Sequence, residues 1–457
     1  MIKTKNTLKK TYFIFLILTN SFGFGQCWSK IAATENRTLA IQNDGTLWSW
    51  GRNNLGSIGD GTNFNRYTPF QISAQTDWME IYASQNHFSF AIKTSGILWG
   101  WGRNNQGQLG NGTLASTNIP VQIGNSTWKQ ITCGMSCALG IKTDGTLWGW
   151  GDNYFGQLGT GNTNSSIVPI QISNENWKSV ASRLSSTYAI KQDGTLWSWG
   201  DNLYGQLGYG TLNPSYSPVQ VGTSNNWKTV VSGGNNTIAI TNDGKLWAWG
   251  KNSLGSLGDG TTVNRLAPVQ IGTDNWESIA LGEQESTIGI KTNNTLWGWG
   301  YNGYRQMTST ITTSTNIPTQ ISVLTDWKST VLGFGHSVNI KLDGTLYTAG
   351  YNLFGQLGDD TNVDKDALTN VTCQTLQIKK FSTEDLISFY PNPAKNTINL
   401  DTKETILKVE IYDISGRILS SNSVIENKID ISNLKIGNYI LKVFTVNGVM
   451  SSKIIKE

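Results

Sequence analysis

The octapeptide Asp44-Gly45-Thr46-Leu47-Trp48-Ser49-Trp50-Gly51 returns, with small changes, at Ser95, Asp144, Asp193, Asp243, Asn293 and Asp343. The intervals of 51, 49, 49, 50, 50 and 50 residues leave almost no freedom for insertions between copies. One further Trp precedes each copy, at Trp28, Trp78, Trp128, Trp177, Trp227, Trp276 and Trp327. These lone residues and the six Trp-x-Trp pairs account for all 19 Trp of the chain. The seventh copy carries Tyr347 and Ala349 where its pair would stand. A fixed period of this length marks a structural unit that buries its faces against copies of itself.

Each repeat reads as four short strands: Trp128 to Thr132, Ala138 to Lys142, Thr146 to Trp150, and a Pro-x-Gln-Ile element such as Pro120 to Ile123. Asp-Gly between the second and third strands is a tight-hairpin signal, because such a turn needs positive φ. Along the third strand Trp148 and Trp150 face one side, and Leu147 and Gly149 the other, as expected for a sheet covered on both faces. The small residue inside each Trp pair should leave room for a large side chain of the neighbouring unit. Four-stranded units with two apolar faces satisfy one another in a ring, so the expected fold is all-β, a seven-bladed propeller over residues 26–374. An open solenoid of the same units would need polar caps, which the terminal repeats do not show. No Trp opens an eighth repeat, and Trp28 is the natural occupant of that slot. Closure would bring Cys27 and Cys373 to the same seam, where a disulfide could staple the ring.

The repeated pattern of Trp128, Cys133, Gly134, Asp144, Gly145, Trp148, Gly151, Asn153, Gly156 and Gly159 resembles the regulator of chromosome condensation repeat. The resemblance covers residues 26–374 and implies a seven-bladed propeller. The namesake of that family exchanges guanine nucleotide on a nuclear GTPase and binds chromatin, using a basic tail and a wedge inserted in one blade. The even spacing here has no room for such a wedge. The sixth repeat departs from the pattern, with Arg305-Gln306-Met307-Thr308 in place of Gly-Gln-Leu-Gly.

The two ends read differently from the repeats. Residues 1–25 have a basic start (Lys3, Lys5, Lys9, Lys10), a short apolar run from Tyr12 to Leu18, and Gly23 and Gly25 before Gln26. This is the pattern of a cleaved signal peptide, and the run is too short to span a bilayer, so no transmembrane segment is expected in the mature chain. After a linker over 375–388, residues 389–457 read as a small β-sandwich of alternating strands divided by Gly and Asn turns. The segments Phe389 to Pro393, Val409 to Arg417 and Leu434 to Val443 resemble, in that order, the C-terminal sorting domain of the type IX secretion system. That resemblance implies passage through this machinery to the medium or the outer cell surface of a Gram-negative bacterium. Residues 26–374 carry 20 basic and 22 acidic residues, so this region has no excess positive charge for phosphates, and no nucleic-acid partner is expected.

Candidate chemistry is sparse. The only histidines are His87 and His336, in different repeats, and both read as structural. Cys133 and Cys137 lack a second pair at zinc spacing, and stand either as a local disulfide or as two core thiols. The Asp-Gly carboxylates sit where a turn explains them. No catalytic residue, metal or cofactor is therefore assigned, and a monomer is expected. Binding is better supported, by what varies among otherwise equal repeats. The residue after the third strand runs Arg52, Arg103, Asp152, Asp201, Lys251, Tyr301, Tyr351, with Tyr204, Tyr304 and Phe354 close by. These positions should ring one end of the propeller and give it a charged and aromatic surface for a protein or glycan. Alternatives are a polysaccharide-acting enzyme with a site in the central channel and, less compatible with export, nucleotide exchange. The Asn that follows (Asn53, Asn104, Asn153, Asn202, Asn252, Asn302, Asn352) never varies, which marks a turn requirement.

Overall fold

The computed structural model describes residues 28–311, 313–372, 388–402, 406–413, 418–422, 427–445 and 448–457. Cys27, Cys373 and the signal segment lie outside the described residues. Every element among the described residues is a β-strand. Contacts divide them into two units, within Met1–Gln374 and Thr375–Glu457.

The first unit is a ring of seven four-stranded blades, each antiparallel and in simple chain order from the innermost strand outwards. Blade 1 comprises Trp28–Thr34, Arg37–Gln42, Leu47–Gly51 and Arg66–Ser73. Blade 7 comprises Trp327–Leu332, His336–Lys341, Leu346–Gly350 and Lys365–Val371. Blades 2 and 3 form one seven-stranded sheet, because the 17-residue strand Thr117–Cys133 is the outer strand of one and the inner strand of the next. The Asp-Gly hairpins form as the sequence requires. Gly145 sits at φ +87°, and the Asp144 carboxylate accepts from Thr146 N at 2.9 Å and Thr146 Oγ1 at 2.6 Å. Those bonds to the charged form hold the Asp144 carboxyl below its ordinary pKa.

Among the described residues no strand from one chain end enters a blade of the other. The first and last blades therefore meet through side chains and loops alone. Trp28 N donates to Gly344 O at 3.2 Å, Phe334 N to Glu35 O at 2.8 Å and Asp360 N to Tyr67 O at 3.0 Å. These bonds close the ring and exclude an open solenoid.

One cross-blade bond recurs at the seams. The second indole of each Trp pair is fully buried and donates to a loop carbonyl of the preceding blade. The pairs are Trp50 to Gln356 O (3.0 Å), Trp101 to Ser57 O (2.9 Å), Trp150 to Gln108 O (2.9 Å), Trp199 to Gln157 O (3.0 Å), Trp249 to Gln206 O (2.7 Å) and Trp299 to Ser256 O (2.9 Å). Hydroxyls of Thr38, Ser89, Thr187, Thr237 and Thr287 donate to five of the same carbonyls. The small residue within the Trp pair turns out to make room for its own blade, not for a neighbour. A Cβ on Gly149 would meet Ile172 and Leu158, and one on Gly298 would meet Met307 at 2.7 Å. The neighbour's indole is accommodated elsewhere, by the last Gly of Gly-x-Leu-Gly. A Cβ on Gly159 would lie 2.6 Å from Trp199 Nε1, and one on Gly258 2.8 Å from Trp299 Nε1.

This accounts for one irregularity in each of the two unusual repeats. Blade 6 carries Thr308 at that Gly position, at φ +64°. Blade 7, which follows it, carries Ala349 in place of the indole, buried in the seam. The Thr side chain is tolerated where the Trp is missing. We predict that Ala349→Trp alone destabilises the protein by about 1–3 kcal/mol through overpacking. Adding Thr308→Gly should reverse the loss, so that a denaturant double-mutant cycle shows a coupling above about 1 kcal/mol. Additive effects in that cycle would contradict the packing described here.

The second unit has a three-stranded sheet (Ser388–Tyr390, Thr397–Asp401, Lys428–Asp430) and a four-stranded sheet in the order Ile418–Asn422, Ile406–Tyr412, Gly437–Thr445, Gly448–Lys456. Ile398, Leu400 and Ile429 from the first and Val409, Ile411, Leu441, Val443 and Ile454 from the second form one buried core, a small β-sandwich.

Candidate functional site: the loop face of the ring

Two sets of loops share one end of the propeller: the hairpins between first and second strands, and the long loops after the third. They are joined in every blade by one backbone bond. The variable residue donates its N–H to the hairpin of its own blade: Arg52 to Asn36 O, Arg103 to His87 O, Asp152 to Ser136 O, Asp201 to Ser185 O, Lys251 to Asn235 O, Tyr301 to Glu285 O and Tyr351 to Gly335 O, all at 2.8–3.0 Å. The seven positions therefore do ring one face.

The invariant Asn beside each of them is fully buried and clamps its loop. Asn153 Nδ2 donates to Asn162 O at 3.0 Å and Asn164 O at 3.1 Å, while Leu158 N donates to its Oδ1 at 2.8 Å. The adjacent variable side chains are thus held on a fixed frame.

The face is uneven in a way the residue types alone do not convey. Arg52 and Lys251 are not free charges. Arg52 Nη1 lies 2.9 Å from Glu35, and Lys251 Nζ 2.6 Å from Glu285. Lys251 also stands over Tyr204 at 5.3 Å. Arg103 bonds Asn86 and Asn105, Asp152 accepts from Gln157 Nε2, and Asp201 from Gln206 Nε2. Beside Asp152, Tyr154 is 73% exposed and packs edge-on against Phe155 at 5.0 Å.

Blades 6, 7 and 1 carry a continuous aromatic strip. Tyr301 meets Tyr304 at 6.0 Å, Tyr304 meets Phe334 at 5.3 Å and Tyr351 at 5.4 Å, and Tyr351 meets Phe354 at 6.3 Å. The Arg52 guanidinium lies 5.0 Å from the Phe354 ring, and its partner Glu35 is 2.9 Å from His87 Nδ1. Burial pushes the Glu35 pKa up. The hydrogen bond and charge of His87, with Arg37 and Arg52, outweigh that effect and hold it below the ordinary value.

The channel along the axis is lined by the innermost strands of all seven blades, by residues such as Ile31, Ile81, Thr132, Val231 and Thr330, around a cavity of about 300 Å³. A polar brace closes its loop-face end. Glu283 of blade 6 accepts from Glu35 N (2.7 Å) and Thr34 Oγ1 (3.1 Å) of blade 1 and from Arg183 Nη2 (3.0 Å) of blade 4. Among the described residues no three His, Cys, Asp or Glu side chains gather as a metal site.

Glu35, Glu283 and Phe334 were not singled out in the sequence, yet the signal is there. Seven residues after the lone Trp the hairpins read Glu35, Gln85, Met135, Leu184, Gly234, Glu283, Phe334, as variable as the loop position beside them. Cys133 and Cys137 are free, buried thiols, and burial pushes Cys137 up to about 12, far from a reactive thiolate.

His336 is wholly buried at the seam between blades 7 and 1, with Nε2 3.3 Å from Thr38 Oγ1. Burial pushes its pKa down to about 3. The unfolded chain takes up a proton near pH 6.5 that the native ring refuses. Stability is therefore undiminished above that pH and falls toward pH 3, by up to about 1.4 kcal/mol per unit. His336→Asn should remove this share of acid sensitivity, measured as the difference in denaturant midpoint between neutral and acidic buffer. An unchanged difference would contradict it.

Comparison with known proteins agrees with this geometry. The RCC1-like domain family matches residues 16–288, and the secretion system C-terminal sorting domain matches residues 388–457. The ultraviolet-B receptor UVR8 of Arabidopsis thaliana is 32% identical over 107 residues, 23% of this chain and 23% of the receptor. The mitochondrial RCC1 domain-containing protein RUG3 of the same plant is 30% identical over 87 residues, covering 19% of this chain and 20% of RUG3. The matched segments thus span about a quarter or less of these relatives. Among solved structures, human WBSCR16 is similar with a TM-score of 0.64 at 19% identity, covering 72% of this chain and 94% of that one. Prp20p of Saccharomyces cerevisiae gives 0.63 at 19% identity, covering 79% and 89%. At such identities the likeness is one of fold. This chain belongs to the RCC1-like domain family and ends in a secretion-system sorting domain, the mark of a protein secreted or carried to the cell surface.

Proposed function

We propose that the chain is an exported, non-enzymatic binding protein that grips a protein partner with the loop face of its propeller. The observation that carries this reading is the aromatic strip from Tyr301 to Arg52. It is half-buried, mounted on Asn-clamped loops and flanked by paired charges, the composition of an interface centre with a polar rim. The strip favours a protein over a glycan. Sugars stack on a flat, open ring face, whereas these rings are half-buried and pack on one another at angles of 52–81°. The channel supports binding better than catalysis, since mainly aliphatic and hydroxyl side chains line it, with Gln85 and Cys133 among them, and the Arg183–Glu283 brace stands at its polar end.

On this reading an N-terminal signal is removed at the inner membrane, and residues 389–457 engage the type IX machinery. Deleting residues 388–457 should leave the propeller inside the cell, as followed by immunoblot of cell and medium fractions. For the binding face, purified full-length protein is presented on beads to surface and secreted proteins of neighbouring cells. The combined Tyr304→Ala, Tyr351→Ala and Phe354→Ala variant should weaken capture by about thirtyfold or more, as for interface centres. A Tyr154→Ala variant, outside the strip, should capture normally. Equal capture by the strip variant, or binding only to a glycan array, would overturn the assignment.

A further inference from the structure

In each blade the fourth strand runs along the rim with one edge unpaired, and six of the seven edges are blocked by their own sequence. The blocking residue is a proline: Pro69, Pro120, Pro169, Pro218, Pro268 or Pro318. Each stands two places before the Gln that lies opposite the first Trp of the pair. The direction of the missing N–H follows from the ladder. In blade 4 Val221 N donates to Leu196 O at 2.8 Å, while Gln220 lies opposite Trp197. Ile271 N does the same to Leu246 O in blade 5, with Gln270 opposite Trp247. Successive residues of a strand turn their backbone groups to opposite sides, so Pro218 and Gln220 face outwards, as do Pro268 and Gln270. Proline there deletes a donor from the exposed edge, which keeps an edge strand from pairing with another chain. The Gln adds to the block. Gln71, Gln122, Gln270 and Gln320 fold back and donate Nε2 to the carbonyl two residues on, at 2.8–3.0 Å.

Blade 7 lacks both devices. Its outer strand, Lys365–Val371, has Leu368 at the proline position and Asn370 in place of the Gln. Asn370 lies opposite Tyr347 and Thr369 opposite Thr348, the same register as in the other blades. Leu368 and Asn370 therefore direct N–H and C=O outwards. No strand pairs with this edge among the described residues, and Ala367, Asn370 and Thr372 are exposed. The Leu368 side chain packs into the seam with blade 6, so the edge offers backbone groups and not an apolar side chain. Asp366 is already engaged, its carbonyl accepting from Ser309 N of blade 6 at 2.7 Å.

We propose that this edge joins two copies of the chain, by antiparallel pairing of their Lys365–Val371 strands about a two-fold axis at Thr369. That register sets Leu368 of each copy opposite Asn370 of the other. The two unblocked residues of each strand then exchange four N–H···O bonds, and the engaged Asp366 is not needed. Charge selects the same arrangement. Lys365 and Asp366 open the strand, and antiparallel pairing sets Asp366 opposite neutral Thr372, whereas a parallel pair would place lysine on lysine. The other six edges lack the donor, so the contact closes as a pair and does not propagate. One strand pair buries well under the roughly 1,200 Å² of a stable interface, so the expected Kd is about 10–100 µM. This dimer departs from the monomer expected from the sequence. It uses the rim and not the loop face, and does not rest on the binding reading.

The test is sedimentation velocity of the full-length protein between about 1 and about 200 µM, where the mass should rise from monomer towards dimer. Leu368→Pro restores the residue that six blades carry. It should weaken association about tenfold or more with an unchanged denaturant midpoint. The reverse change in blade 3, Pro169→Leu with Gln171→Asn, opens a second edge and should carry the mass beyond that of a dimer. Amide hydrogen exchange places the contact: Leu368 and Asn370 should exchange freely at the low concentration and become protected at the high one. A monomer at about 200 µM, or equal association of Leu368→Pro, would overturn the proposal. Protection of these two amides already in the monomer would do so too, since the chain itself would then cover the edge.

Discussion

The ring depends on one hydrogen bond used over and over: a buried indole N–H given to a loop carbonyl of the preceding blade. In a dry seam, an indole left unpaired is costly. At six of the seven seams the bond therefore fixes the depth to which one blade inserts against the next, and the bulk of the ring supplies apolar burial at the same place. The loop that provides the carbonyl is the one clamped by the invariant Asn. Seam, loop and surface are consequently one mechanical unit, and a binding face can be carried on loops without being loose. Closure of the ring uses the same bond, Trp50 to Gln356 O, with no exchanged strand among the described residues.

Much of this was legible in the sequence. Trp spacing identified the blades, Asp-Gly the hairpins, and the even period the ring. The seven loop positions that vary do share one face, because each is held by the same backbone bond. The rest was hidden for physical reasons. The charges of Arg52 and Lys251 are cancelled by Glu35 and Glu285, which come from hairpins 17 residues upstream in one case and from the next blade in the other. Only closure of the ring places Phe354 beneath Arg52 and Glu283 against Thr34. The small residue of the Trp pair meets its own blade and not the neighbour, which the period does not convey, because periodicity shows which side a residue faces, not what long loop folds back over it.

Export and architecture bear on each other. The chain has few charged residues and many glycines, held in order by a clamp that is intramolecular, local and repeated. Among the described residues the free thiols, Cys133 and Cys137, are buried. Loop face and rim are chemically distinct, aromatic rings with paired charges on one and the unblocked strand edge of blade 7 on the other. A single propeller can thus present unlike surfaces to unlike partners while sharing one core.

The Thr308 and Ala349 pair has a consequence for assembly. Seven nearly identical units face a problem of address, since any blade could dock on the wrong neighbour with almost equal energy. Thr308 would collide with an indole, so blade 6 rejects every blade that carries the usual Trp. Ala349 gives blade 7 the one compatible surface. A single lock and key in a ring of otherwise interchangeable parts tells the chain where its last blade belongs.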